Sequence, residues 1–198
     1  MKKSYWFLIL FNLAYIIGFT IYYVSIKNYE FLLYIAVLLV LFVLVAVTQK
    51  KTKFDYFILW ALSIWGLMHM MGGGVLVNGE TLYRYHIIDL YQGPDPELVI
   101  LKFDQFVHFY LYVIVSMVLF HLLGFVVKKG LPSLYLAFFA VLGSVGIGGM
   151  NEIIEFTALV LFEKTGVGGF YNISLDLVFN FLGALVGGFI AHFRRTFD

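Results

Sequence analysis

Along the chain, long apolar runs alternate with short polar breaks. About twenty apolar residues in helix, at about 1.5 Å each, cross a hydrocarbon core of about 30 Å. By that measure the pattern predicts six spans, at about 5–26, 31–48, 54–73, 101–126, 133–162 and 174–193. The expected fold is all-α: one transmembrane domain over residues 1–198, built as a six-helix bundle. The fifth run is too long for a plain crossing, and "GSVGIGG" at 143–149 lies in its middle. Those glycines can kink the helix, break it, or let a neighbouring backbone approach. The last run carries Gly183 and Gly187, a spacing that permits tight helix contact.

The longest polar stretch, about 74–100, includes "NGETLYRYHIIDLYQGPDPE". Connectors of that length often act as lids or binding loops; lying on the membrane surface is the plainer alternative. The first run, "MKKSYWFLILFNLAYIIGF", imitates a secretory signal but exceeds its usual apolar core and lacks a small-residue cleavage pattern. It reads as a retained span.

Composition sharpens this picture. The chain is 62% hydrophobic and 13% charged, where a soluble domain carries about 25% charged residues. The net charge of +1 gives no sign of nucleic-acid binding, and the absence of cysteine excludes disulfides and thiolate metal sites. Lysine and arginine set the orientation. With the N-terminus inside, nine (Lys2, Lys3, Lys50, Lys51, Lys53, Lys128, Lys129, Arg194, Arg195) face the cytoplasm and four (Lys27, Arg84, Lys102, Lys164) face outward. Both termini are therefore expected in the cytoplasm of a multi-pass protein of the cell membrane, with the 74–100 loop outside.

Ionisable groups inside the spans then fall at one depth. His69 lies near the outer end of span three, Asp104 and His108 in the outer third of span four, Glu152 and Glu155 in the outer half of span five, and Asp176 with Asn180 at the start of span six. Asp104/His108 and Asp176/Asn180 are four residues apart and Glu152/Glu155 three, so each pair shares a helix face. A charge near the span centre costs about 2.5–3.5 kcal/mol on insertion scales. These acids must be protonated, paired with cations or bound to metal, and the nearest base, Lys102, stands at the edge. A divalent cation neutralises them directly; carboxylate and imidazole suit Zn²⁺, Mn²⁺ or Fe²⁺, and carboxylates also take Mg²⁺.

The expected ligands are thus drawn from His69, Asp104, His108, Glu152, Glu155 and Asp176. Glu152, Glu155 and Asp104 are the candidates for catalysis, and Asn180, Asn151 and His86 for supporting contacts. Blander readings stand beside these. Asp104 and His108 can be a structural hydrogen bond, "NISLD" before Asn180 resembles a helix cap, His69 can be a satisfied bundle histidine, and His86 with Asp89 suits a surface loop. His121 and His192 fit the opposite interface.

In order and spacing these residues resemble two related families of polytopic bacterial membrane proteins. Asp104, His108-Phe109, Tyr112, Glu152 and "DLVFNFLGALVG" follow the VanZ-like pattern. His69 in "HMMGG" and the Glu-x-x-Glu of "NEIIEF" bring the chain nearer the YjdF-like pattern, over about 64–190. It departs from that pattern at Lys102-Phe103, at Asn172 and at "GGVLVNGETLY". VanZ-like members are linked to glycopeptide resistance, so the resemblance implies work at the cell envelope. The functional expectation is a metal-dependent membrane hydrolase or transferase acting on a lipid or lipid-linked small molecule. The alternatives are a proton- or cation-coupled transporter and a non-catalytic binding or scaffold protein.

Overall fold

Polar caps start two of the helices. Asn28 Oδ1 accepts from the Phe31 amide at 3.1 Å, and Asp55 Oδ1 from the Ile58 amide at 2.8 Å. In the computed structural model, which describes residues 3–95, 98–127, 131–161 and 168–196, six long helices run as α1 (Lys3–Ser25), α2 (Tyr29–Thr52), α3 (Tyr56–Gly74), α4 (Phe103–Val126), α5 (Ser133–Leu161) and α6 (Phe170–Thr196). Each is long and apolar enough to cross a membrane. Lys2, Lys128, Lys129 and Lys164 of the charge count, Pro96 of the loop and Phe162 of the fifth run lie outside the described residues.

The helices form two sets of three. Tyr15, Tyr23, Phe31, Ile35 and Met70 bury against one another among α1, α2 and α3. Met117, Phe120, Leu136, Ala140 and Ala191 do so among α4, α5 and α6. A third cluster, Leu8, Phe54, Ile58 and Leu59 with Val118 and Leu122 beside it, joins the sets through α3 and α4. The outer faces remain apolar, as at Val40, Phe138, Met150 and Phe189, which suits lipid rather than water.

Inside the second set, α6 turns a stripe of small and polar residues inward: Asn172, Asp176, Asn180, Ala184 and Ala191 are buried. A Cβ at Gly183 would meet the Phe109 carbonyl, and one at Gly187 the Val113 carbonyl, far inside van der Waals contact. The Gly183–Gly187 spacing is therefore where the α6 backbone lies on α4. The glycine-rich stretch of α5 neither breaks nor ends the helix, which is continuous from Ser133 to Leu161. Of its glycines, Gly146 and Gly149 face open space, while Gly148 lies against Asn180 and Tyr112.

The connection after α3 folds into two small antiparallel hairpins. Strands β1 (Leu76–Val77) and β2 (Glu80–Thr81) are joined by Asn78-Gly79, both with positive φ (53° and 89°), as a tight two-residue turn requires. A 3₁₀ turn at Leu82–Arg84 follows, then β3 (His86–Gln92) paired with β4 (Val99–Lys102). Because β4 occupies 99–102, α4 begins at Phe103 instead of near 101. At the opposite end, Arg194 donates to Asp55 Oδ2 at 3.0 Å and His121 Nε2 donates to the Thr52 carbonyl at 2.7 Å, while Ser133 Oγ and His192 Nδ1 lie 2.8 Å apart. His121 and His192 thus fasten the end of the bundle away from the hairpins.

Candidate functional site

The site is anchored where β4 turns into α4. Leu101 takes a positive φ of 79° there. The fully buried Gln105 side chain holds the bend, accepting from the Leu101 and Lys102 amides at 2.6 and 3.1 Å and donating to the Val99 carbonyl at 2.8 Å. This fixes the first turns of α4, one of whose faces carries Asp104 and His108. Asp104 lies in the first turn, where the helix dipole favours an acid.

His108 is the hub. Its Nε2 lies 3.7 Å from Asp104 Oδ1 and 3.6 Å from Glu155 Oε1, and its Nδ1 lies 3.6 Å from Glu152 Oε1. The closest contact is with Asn180, whose Oδ1 is 3.0 Å from Nδ1. Asn180 Nδ2 donates to Glu152 Oε1 at 3.0 Å, so Asn180 Oδ1 must accept, and His108 Nδ1 carries the proton it accepts. In the neutral ring the Nε2 lone pair then points toward Asp104 and Glu155.

Three asparagines hold this arrangement, two from α6 and one from α5. Asn180 fixes His108 and Glu152. Asn172 Nδ2 donates to Asp104 Oδ2 at 3.1 Å and to Asp176 Oδ2 at 2.6 Å. Asn151 Nδ2 donates to Glu155 Oε1 at 2.9 Å. Lys102 Nζ reaches only Asn172 Oδ1, at 2.5 Å, and among the described residues no lysine or arginine pairs with the four carboxylates. Two oxygens, Glu152 Oε2 and Asp176 Oδ1, are buried with no hydrogen-bond partner. Orphaned oxygens of that kind are rare and call for an explanation. Asp104, His108 and Asp176 can each turn a ligand atom within 4.8 Å of the others, and so can His108, Glu152 and Glu155.

Asp176 is fully buried and Asn180 is 1% exposed, both well inside α6, so the cap reading of "NISLD" does not describe them. The helix starts earlier, at Phe170, which brings Asn172 into the site. His69 belongs to the facing wall. Its ring stacks on Trp65, and the Tyr83 hydroxyl donates to the His69 carbonyl at 3.0 Å while also contacting His69 Nδ1. Burial pushes the Tyr83 hydroxyl well above the ordinary phenol range, so it stays protonated. His86 lies on exposed β3, 2.8 Å from Asp89, and is not brought to the cluster.

Between the two helix sets lies a cavity of about 790 Å³. Asp104, His108, Glu155 and Asn172 line one side and Phe31, Tyr34, His69 and Tyr83 the other, whereas Glu152 and Asp176 stand behind the first wall.

The model of a family described as Predicted membrane protein (DUF2238) matches residues 6–196. The chain belongs to this family. No curated protein and no solved structure matches it. As a DUF2238 protein it is an integral membrane protein, and what its cluster does has to be argued from the cluster itself.

Gln105, Tyr83 and Asn172 are the site residues that sequence reasoning does not place. Gln105 sits three residues after Lys102 in a capping arrangement, a local signal that could have found it. Tyr83 had no such signal, because its partner lies fourteen residues away across the β1–β2 hairpin.

Proposed function

We propose that the cluster binds a divalent cation and that the protein is a metal-dependent membrane enzyme acting on a lipid or lipid-linked envelope substrate, as YjdF-like and VanZ-like resemblances suggest. The observation that carries this reading is the pair of buried, unpartnered oxygens, Glu152 Oε2 and Asp176 Oδ1, behind an imidazole whose free nitrogen faces two further carboxylates. Four acids around one histidine need positive charge, and Lys102 is held off by Asn172. The donor set fits a borderline or hard divalent ion: one imidazole nitrogen and carboxylate oxygens, with no thiolate. His108 with Asp104 and Asp176, or with Glu152 and Glu155, would hold it. His69 joins only as a group on the facing wall.

When bound, such an ion lowers the pKa of a water or polarises a phosphoryl or carbonyl oxygen. The chain's own residues do the rest. Asn180 keeps the proton on His108 Nδ1, and Asn172 and Asn151 aim Asp104 and Glu155. Whichever glutamate of the Glu152–Glu155 pair is not a ligand accepts or returns the proton. Phe31 and Tyr34 line the cavity across from these groups.

Elemental analysis of protein purified without chelator or histidine tag tests this. About one divalent ion per chain is expected, falling steeply in His108→Ala and Glu152→Gln. Metal-free wild type that is as stable as metal-supplemented protein removes the basis of the proposal.

A further inference from the structure

The cavity has a chemical gradient that identifies what could occupy it. This inference rests on the proposed metal reading and concerns the substrate class. At the deep end are Asp104, His108 and Glu155. At the hairpin end two exposed bases, Lys27 and Arg84, line the same space, with Glu80 exposed beside them and Glu30 buried. Around Lys27 the rim is apolar: Ile26 precedes it in the α1–α2 connection, Tyr29 opens α2 just after it, and Leu161 at the end of α5 lines the same space. These three are 49%, 62% and 65% exposed, so they belong at once to the cavity and to the lipid-facing surface. Among the described residues, the polar chamber is therefore continuous with the outside of the bundle through an apolar rim between the start of α2 and the end of α5, which come from different helix sets.

We propose that this opening is a lateral portal for a phosphate-bearing amphiphile, whose head group enters the chamber while its acyl chain stays among Ile26, Tyr29 and Leu161. A water-soluble ligand needs no exposed apolar rim where the helices end. A neutral lipid needs no bases at the rim. Lys27 and Arg84 supply charge-assisted hydrogen bonds to phosphate oxygens, with the arginine fork able to grip two at once. Glu80, exposed at the rim, suits a head group that also carries an amine, and the phosphate is the feature common to both kinds of lipid.

Detergent-purified protein, titrated with phosphatidylglycerol, glycerol 1-phosphate and diacylglycerol under native mass spectrometry, tests the portal, with metal content measured on the same samples. Phosphatidylglycerol is expected to bind at least about tenfold more tightly than glycerol 1-phosphate, because a few buried methylenes suffice for that factor. It should lose about tenfold in the Lys27→Ala/Arg84→Ala double variant, with diacylglycerol binding unaltered. Leu161→Trp, which narrows the opening at an exposed position, should weaken phosphatidylglycerol but not glycerol 1-phosphate. Equal binding of glycerol 1-phosphate and phosphatidylglycerol overturns the portal in favour of a free-phosphate site. Equal binding of diacylglycerol reduces it to nonspecific apolar contact. Loss of selectivity with metal retained refutes the portal alone, whereas wild type without metal refutes the reading beneath it.

Discussion

Asn180 stands between His108 and Glu152, accepting from the one and donating to the other at 3.0 Å in both cases. With Glu152 ionised, as a metal ligand is, its Oε1 takes only a donor and the amide has no freedom to reverse. The amide therefore sets which imidazole nitrogen carries the proton. Carboxamides and carboxylates that orient a metal-bound histidine commonly affect affinity by about 10–100-fold. Asn180→Asp, which turns the donor toward Glu152 into a second acceptor, is expected to lower divalent-metal affinity by about that factor. Isothermal titration of apo protein with Mn²⁺ or Zn²⁺ measures it. Unchanged affinity, with the fold intact by circular dichroism, would mean that Asn180 does not orient the ligand.

Removing the side chain should also cost stability. Asn180→Ala leaves His108 Nδ1 and Glu152 Oε1 buried without their partner, a loss of about 1–3 kcal/mol for an unsatisfied buried group. The expected result is a lower melting temperature in detergent. Gly148→Leu should act in the same direction, since even a Cβ at residue 148 would lie 3.2 Å from Asn180 Nδ2. A Gly148→Leu protein that melts like wild type would show that α5 has slack at this level.

Two glycines of similar sequence context should behave oppositely. Gly183 lies on the Phe109 carbonyl, so Gly183→Ala forces backbone against backbone and is expected to destabilise by about 1–3 kcal/mol. Gly146 has nothing near its missing Cβ, so Gly146→Ala should be neutral or stabilising by up to about 1 kcal/mol from helix propensity. Parallel thermal melts decide it. Equal effects would place the α4–α6 contact elsewhere.

The degree to which sequence reveals this site follows from the range of its interactions. Six apolar runs suffice for six helices, because length and hydropathy are local properties. Asp104 and His108 are legible for the same reason: an acid and an imidazole one turn apart in an apolar run have no bland neighbour to hide among. Asn172 is not legible. Its position before "ISLD" suits a cap, and only its bonds to Asp104 and Asp176, on α4 and one turn along α6, draw it into the helix and the cluster. Depth along the spans puts His69 with the carboxylates, and His69 does line their cavity. That Tyr83 occupies His69 Nδ1 is not legible from depth, because the contact depends on how the hairpin folds back. The hairpins themselves are too short to show a period, and Asn78-Gly79 was the one local cue.

The hydroxyl of Tyr83 links the connection after α3 to the bundle, so its loss should loosen that connection before it affects the helices. Tyr83→Phe keeps the ring in place beside Gly72, where a Cβ would collide with it, and removes only the bond to His69. Hydrogen exchange is expected to quicken across 75–92 and to stay unchanged in α4 and α6. Uniformly unchanged exchange would show that ring packing alone seats the turn.

Orientation is open to a direct measurement, because the chain has no cysteine and every introduced one reports alone. Our proposal from the charge count, both termini in the cytoplasm, would send the mouth of the cavity, at Lys27 and Gly79, to the outer face. Lys27→Cys and Glu80→Cys are then expected to react with a membrane-impermeant maleimide on intact cells, while Lys51→Cys, at the far end of α2, reacts only after permeabilisation. All three positions are exposed, so burial does not mask the outcome. Labelling of Lys51→Cys alone on intact cells would invert the protein. The carboxylate cluster would then open to the cytoplasm, and the proposed substrate would have to be a lipid of the inner leaflet instead of an envelope precursor on the outer one. The geometry of His108 and its three asparagines would be unaffected, since none of those distances depends on which side of the membrane the hairpins occupy.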